Sequence, residues 1–356
     1  MSEPLASVGD PVRLSIPELR ELVETALLQA GANRANATAI AGTIVASERD
    51  GVRSHGLLRL QGFVHSIEIG WADGRAQPQI ISEMPGLVVV DAQNGFAQTA
   101  LAHIRSKLAG MGRANGTAVL LTRNSHHFGA LWPDIEDFAA EGFVALTCVN
   151  SKKRMAAWGG RRPVTGTNAM AFACPRPGHL PLVWDQSSSV MSQGDVLLAA
   201  SKGQDVPLGV GCDANGEQTN SPSAILNGGA LLPFGANKGA SIAVMIEILA
   251  AALTGGPFAF EDRSPNQTVT TSKGGQFMLI IHPSHANSAF GERISELVAA
   301  ILAAGAMRLP GDRRYQARRQ ALAEGVAIDV RTYQSLVRPI NPNEDAAGAH
   351  RNRPLS

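Results

Sequence analysis

The sequence has no excess of either charge. Lysine and arginine number 31 against 30 aspartates and glutamates, a formal net charge of +1. No global field therefore directs the chain to nucleic acid or to an acidic membrane surface. Cysteine is scarce: Cys148, Cys174 and Cys212 are odd in number and lack CxxC spacing. They read as reduced, buried filler in a cytoplasmic protein. Long apolar runs are also missing. The longest candidate, Ala240 to Thr254, carries Glu247 and falls short of the ~20 residues that a membrane span needs. The first residues, MSEPLASVGDPV, lack the basic start and apolar run of a signal peptide. A glycine-rich phosphate loop opening a helix is absent too. Its nearest match, Gly209-Val210-Gly211, runs into the turn dipeptide Asn215-Gly216 rather than a helix, which excludes a standard Rossmann domain.

What is present is a globular chain. Of its 356 residues 44% are apolar and 17% charged, enough for more than one packed domain. Ser15-Ile16-Pro17-Glu18 reads as a capping box. Leu19, Leu22, Val23, Ala26 and Leu27 follow at helical spacing, with Gly31 as the stop. Two more helices are expected, from Asn36 to Arg49 and after Gly56, so the opening 70 or so residues form a helical region. Strands are then expected at Leu87–Asp91, Thr117–Thr122, Phe143–Val149, Ala169–Cys174, Leu182–Asp185 and Gln276–His282. Helices are expected at Gln98–Met111, Leu131–Ala140, Ala240–Thr254 and Ser288–Ala304. The alternation lacks a strict βαβ rhythm, so the expected class is α/β with mixed sheets.

Several clusters could carry chemistry. Arg49 and Arg59 flank Arg53-Ser54-His55-Gly56, where two arginines could grip a carboxylate. Ser54 could cap a helix, and a histidine at a helix start gives up its proton more readily; a capped helix with solvated charges fits the same residues. Asn124-Ser125-His126-His127-Phe128-Gly129 follows a strand and suits an anion. The paired histidines favour cofactor contact over metal, since sequence neighbours rarely converge on one ion. Asp195 could orient His55 or simply cap its own helix. Asn237-Lys238 stands between Gly235 and Gly239 at a helix start, a site for phosphate or carboxylate or an exposed turn. Arg308, Arg313, Arg314, Arg318 and Arg319 make the one dense basic run. It suits the extra phosphate that distinguishes NADP from NAD or a solvated helix.

Taken in order, Arg53-Ser54-His55-Gly56, Val90-Asp91-Ala92 with Gly95-Phe96-Ala97-Gln98, Asn124-Ser125-His126-His127-Phe128, Gly166-Thr167-Asn168 and the Gly235–Gly239 turn resemble the malate/L-lactate dehydrogenase family, over about residues 14 to 335. Within it, NSHHFGALWPDIEDFA and GALLPFGANKG are similar to the Δ1-piperideine-2-carboxylate/Δ1-pyrroline-2-carboxylate reductases. The resemblance implies a non-Rossmann fold and a homodimer reducing cyclic imino acids with NADPH rather than NADH. A 2-hydroxy-acid dehydrogenase (malate, lactate, ureidoglycolate or sugar acid) is the alternative. By position it makes Ser54, His55 and Asp195 a relay with His55 as proton donor, and Arg49, Arg59 and Thr167 the substrate grip. It assigns His127, Phe128, Gly129, Ala130, Leu131, Asp185, Gln186, Ser187, Asn237, Lys238, Arg308, Leu309, Pro310, Gly311, Asp312, Arg313 and Arg314 to the cofactor. It divides the chain into a helical region (1–75), a substrate and dimerisation unit (76–117 with 298–340), a cofactor unit (118–297) and a mobile tail (341–356). Departures from the family pattern are Ala169 in place of proline, Gln186 to Ser189 after the strand-end Asp185, and Asn237 before Lys238.

Overall fold

The computed structural model describes residues 10–265 and 270–337; the expected tail, 341–356, lies outside the described residues. A short strand, β1 (Val12–Leu14), leads into α1 (Ile16–Gln29) and α2 (Arg34–Arg49). A 3-10 turn, Arg53–His55, and α3 (Leu57–Glu68) complete the helical opening. Then come β2 (Gln79–Met84), β3 (Leu87–Phe96), α4 (Ala97–Asn115), β4 (Thr117–His127), α5 (Trp132–Ala140) and β5 (Val144–Val149). Next are β6 (Met155–Ala156), β7 (Pro163–Thr165), β8 (Ala169–Cys174), β9 (Leu182–Gln186) and α6 (Gln193–Ser201). The loop-rich stretch holds β10 (Gly211–Cys212), β11 (Gln218–Thr219), α7 (Pro222–Leu226) and β12 (Ala230–Leu231). After α8 (Asn237–Ile246) the helix widens into a π-helical segment, Glu247–Ala252. The chain closes with β13 (Ser272–Ile281), α9 (Phe290–Ala303), α10 (Asp312–Glu324), β14 (Val326–Ile328) and α11 (Val330–Val337).

Seven strands form the main sheet in the order β2-β3-β4-β13-β5-β8-β9. β3 and β4 are parallel, joined by α4 as crossover, and the other neighbours run antiparallel. The mixed α/β class is thus the observed one. The expected boundary at 117/118 falls after the first residue of β4, which pairs with β3 in the same sheet from Leu87↔Val119 to Phe96↔His126. A small five-stranded sheet, β11-β10-β12-β6-β7, packs beside it, and β1 pairs with β14. Gly209-Val210-Gly211 leads into the β10–β11 hairpin, whose turn places Gly216 at φ 84°. Among the described residues no helix is long and apolar enough to cross a membrane.

Two cores meet near the loop after β4. One fills the space between the sheet and α4 and α5 with Val90, Leu120, Ile135, Phe138, Phe143 and Ile280. The other binds α1, α2 and α3 through Leu19, Leu27, Ile40, Ile44, Leu60 and Phe63. The capping box at Ser15 forms as expected: Glu18 accepts the Ser15 backbone N–H at 2.8 Å, and Ser15 Oγ accepts that of Glu18.

The start of α3 differs from expectation. Ser54 does not cap it; Glu48, from α2, reaches across and accepts the Leu57 N–H at 2.7 Å. A Cβ on Gly56 would lie 2.2 Å from that carboxylate oxygen, so a glycine is needed for the approach. Freed from capping, Ser54 Oγ lies 3.1 Å from Nδ1 of His55.

Candidate active site

The turn after α2, the end of β4 and the start of α6 converge on a cleft of about 680 Å³. Its lining includes His55, Arg59, His127, Phe128, Gly129 and Thr167, six of the residues singled out in the sequence. Ser151, Lys152, Arg154, Gln193 and Ser272 complete the polar lining. Three cationic side chains thus face one cleft, and among the described residues no aspartate or glutamate lines it. Such a cleft is built for an anion.

Arg59 is held by an aromatic face. Its guanidinium carbon stands 4.5 Å from the Phe128 ring centre, a cation–π contact. Burial pushes its pKa down to about 10, with the charge of Asp195 opposing. Its Nε is buried with no hydrogen-bond partner, a donor that a carboxylate would satisfy.

His55 is neutral at neutral pH. Burial, then the charges of Arg59 and His127, push it down to about 3. The depression expected from a helix start is present, but desolvation is its main cause. His127 is anchored differently: its Nε2 lies 3.4 Å from Asp134 Oδ2, which also accepts from Gln276 Nε2 at 2.8 Å. The two adjacent histidines diverge, since His126 bonds Thr271 and Asn94. Lys152 Nζ donates to Thr270 O (2.7 Å) and Oγ1 (2.8 Å), and burial lowers its pKa to about 8.

Two expected site residues turn elsewhere. Arg49 does not join Arg59; its Nε bonds Asp50 at 2.7 Å, because the buried Asp50 carboxylate needs cationic partners. Asp195 does not orient His55. Its carboxylate accepts from Ser192 Oγ at 2.8 Å and its N–H donates to the same oxygen, the cap of α6. What it gives the site is charge near Arg59.

The residues expected at the cofactor spread along β9. Asp185 accepts the N–H groups of Leu131 (2.7 Å) and Trp132 (3.2 Å), and burial raises its pKa despite those bonds. Ala130 and Leu131 are buried and do not line the cleft. Gln186 is exposed and Ser187 bonds Ser189. Asn237 and Lys238 stand exposed at the start of α8. At the other end of β9, Arg308, Pro310, Asp312 and Arg313 line a separate groove with Arg176, His179 and Arg319. Leu309 is buried, Gly311 takes φ 97° before α10, and Arg314 donates to Val183 O at 2.6 Å.

Sequence reasoning missed Lys152, Arg154, Gln193 and Asp134. No spacing rule joins Lys152 to His55; they meet only because β5 ends at the cleft. Gly194 was also passed over. A Cβ there would lie 2.9 Å from Arg59 Nη2 and 3.3 Å from Ser54 Cβ, so a glycine lets α6 close on the arginine.

Comparison with known proteins gives the family and the fold. A family model described as malate/L-lactate dehydrogenase matches residues 14–337. The chain is 46% identical over 338 residues to a Δ1-pyrroline-2-carboxylate/Δ1-piperideine-2-carboxylate reductase of Pseudomonas putida, covering 94% of this chain and 98% of that protein. It is 37% identical over 327 residues to a (2R)-3-sulfolactate dehydrogenase (NADP(+)) of Chromohalobacter salexigens, covering 90% and 97%. The crystal structure of Δ1-piperideine-2-carboxylate reductase from Pseudomonas syringae pvar. tomato superposes with a TM-score of 0.89 at 42% identity, covering 91% of this chain and 98% of that one.

Proposed function

The chain belongs to the malate/L-lactate dehydrogenase family, and from that premise we propose that it reduces cyclic imino acids, Δ1-piperideine-2-carboxylate and Δ1-pyrroline-2-carboxylate, with NADPH. The family implies a nicotinamide cofactor. The observation that carries the substrate class is the cleft itself: Arg59, Lys152 and Arg154 line it, with no acidic side chain among the described residues. A small ring bearing one carboxylate suits that charge and that size.

The residues fit a dinucleotide. Leu182 at the start of β9 lines the basic groove, and just past its other end the Ser188 N–H donates to the carbonyl of Thr167, which lines the cleft, about five residues or ~17 Å of strand away. Arg308 and Arg313 at one end would hold a ribose phosphate. Ser187, Asn237 and Lys238, at the other, would hold the pyrophosphate and nicotinamide end. When bound, the reduced nicotinamide supplies the hydride.

The protein's own residues do the rest. Arg59, with Thr167, holds the carboxylate and so fixes which face of the ring is presented. The arriving carboxylate offsets the charge of Arg59, one of the causes holding His55 neutral. His55, with Ser54 on Nδ1, then passes a proton to the ring nitrogen, which makes C2 electrophilic. Asp195 acts through the field at Arg59 rather than through a bond to His55.

Homodimerisation is part of the proposal. Val244, Met245, Ile248 and Leu253 on and beyond α8, and Leu297, Ile301 and Leu302 on α9, are apolar and exposed, a cover that a second copy would provide.

The test is loss of the NADPH absorbance with each imine, run beside pyruvate and oxaloacetate. Turnover of the imines supports the reading. Turnover of the keto acids alone moves the chain to the 2-hydroxy-acid dehydrogenases.

A further inference from the structure

A carboxylate inside an apolar helix costs stability unless its oxygens are bonded. Glu247 is such a group, buried where α8 gives way to the π-helical segment Glu247–Ala252. Widened turns of this kind often stand at functional sites. We infer that Glu247 is a positioning residue: it fixes the side-chain amide of Asn168 and through it sets Thr167 and Ser151 on the wall of the cleft. This rests on the reading above, in which Thr167 holds the substrate carboxylate.

Each Glu247 oxygen accepts one N–H. Oε1 takes Asn168 Nδ2 at 2.8 Å, and Oε2 takes the backbone N–H of Ala259 at 3.1 Å. The fully buried Asn168 amide has two more bonds. Its Nδ2 also donates to Ala243 O of α8 at 3.0 Å, and its Oδ1 accepts the Ser151 N–H at 3.1 Å. Glu247 and the Ala243 carbonyl thus turn Nδ2 toward the helix and leave Oδ1 for Ser151. Asn168 takes φ 35°, a left-handed conformation that a side chain adopts only when its surroundings hold it there.

The backbone around Asn168 is gripped from the other side by Ser188. The Ser188 N–H donates to Thr167 O at 2.7 Å, and its Oγ donates to Asn168 O at 2.8 Å. A Cβ on Gly166 would lie 2.5 Å from Asn168 Oδ1 and closer still to Ser151 Oγ, so the loop is closed onto Ser151. Ser151, Thr167 and Ala169 all line the cleft, and Glu247 does not. The Asn168 amide is therefore the joint between α8 and the wall that meets the substrate.

The experiment is a double-mutant cycle on the full-length protein with whichever imine or keto acid it turns over. Glu247→Met removes both acceptors at nearly constant volume. It is expected to raise KM for the carboxylate substrate about tenfold, with kcat within about threefold and KM for NADPH within about twofold. Asn168→Gly permits the left-handed φ but removes the amide, and should raise the same KM at least as far. In that background Glu247→Met should add nothing. Glu247→Leu replaces Glu247→Met if that variant does not melt cooperatively. A lowered melting temperature with an unchanged KM, or additive losses in the cycle, overturns the inference. Absence of wild-type turnover with every imine and keto acid would instead overturn the reductase reading. The cycle is then read by calorimetry with pyrrole-2-carboxylate, a ring with the same carboxylate and no C=N bond. Binding by the wild type that weakens about tenfold in Glu247→Met supports the inference, and equal affinities or no wild-type binding overturn it.

Discussion

Arg59 stacks on the face of Phe128, 4.5 Å from its guanidinium carbon, while its buried Nε finds no hydrogen-bond partner among the described residues. A lysine keeps the charge but loses both the planar stacking and the forked donors. Arg59→Lys is therefore expected to raise KM for the carboxylate substrate by roughly 10- to 100-fold, from a charge-assisted hydrogen bond of about 1.5–3 kcal/mol. Steady-state kinetics with an uncharged ester analogue check the cause. The ester should be affected far less.

His55 and His126 are both held neutral, each pushed to about 3, by burial first. The unfolded chain binds protons at these groups near the ordinary value of about 6.5, the folded one only near 3. Stability is therefore expected to fall as pH drops from about 6.5 toward 3, with no contribution from these groups above that window. Melting temperature against pH, measured for the wild type and for His55→Asn, checks this. The variant should show a shallower loss on acidification, and an identical slope would sink the assignment.

Asp50 joins three parts of the chain. It accepts from Arg49 on α2, from Arg318 on α10 and from Trp132 Nε1 on α5, and Arg318 also bonds Glu136 at 2.7 Å. Burial pushes the Asp50 carboxyl up, but the arginine hydrogen bonds and charges outweigh it and its pKa is lowered. Removing one partner of a buried ion pair leaves the other charges uncompensated, at a cost of about 3–5 kcal/mol. Asp50→Ala should show that loss in urea unfolding. A change below about 1 kcal/mol would mean that solvent already screens the cluster.

Much of this site was legible in the sequence wherever local chemistry decides. The Ser15 capping box, the helical opening and the strand leading to Asn124 follow from periodicity and caps, whereas the meeting of His55 and His127 in one cleft does not. The arginines around His55 suggested Arg59 directly, and the resemblance supplied Thr167. Contacts set by tertiary approach were not legible. Glu48 rather than Ser54 caps α3 because α2 turns back over Gly56. Asp195 stays with its own helix because Ser192 is three residues away. Asp134 meets His127 because the turn at Gly129 folds α5 back onto the end of β4. Lys152 and Arg154 reach the cleft from the end of a strand whose sequence says only that it is buried.

The basic groove makes the last prediction, on cofactor choice. Arg308 and Arg313 are exposed there, whereas Arg314 is committed to Val183 O and stacks 4.8 Å from the Trp132 ring. Arg314 therefore belongs to the scaffold, and substituting it would disturb β9 as well as any ligand. Arg308 and Arg313 are free of that confusion. If they hold the extra phosphate of NADPH, replacing both with alanine should raise KM for NADPH by roughly 10- to 100-fold, one or two charge-assisted bonds' worth. KM for NADH should stay within about twofold, because the lost partner is a phosphate that NADH lacks. The NADPH effect should also shrink at high salt, where exposed charges are screened. An equal loss with both cofactors would place these arginines on the part the two share. No loss with either would leave the groove to some other anion and the cofactor preference to residues at the opposite end of β9.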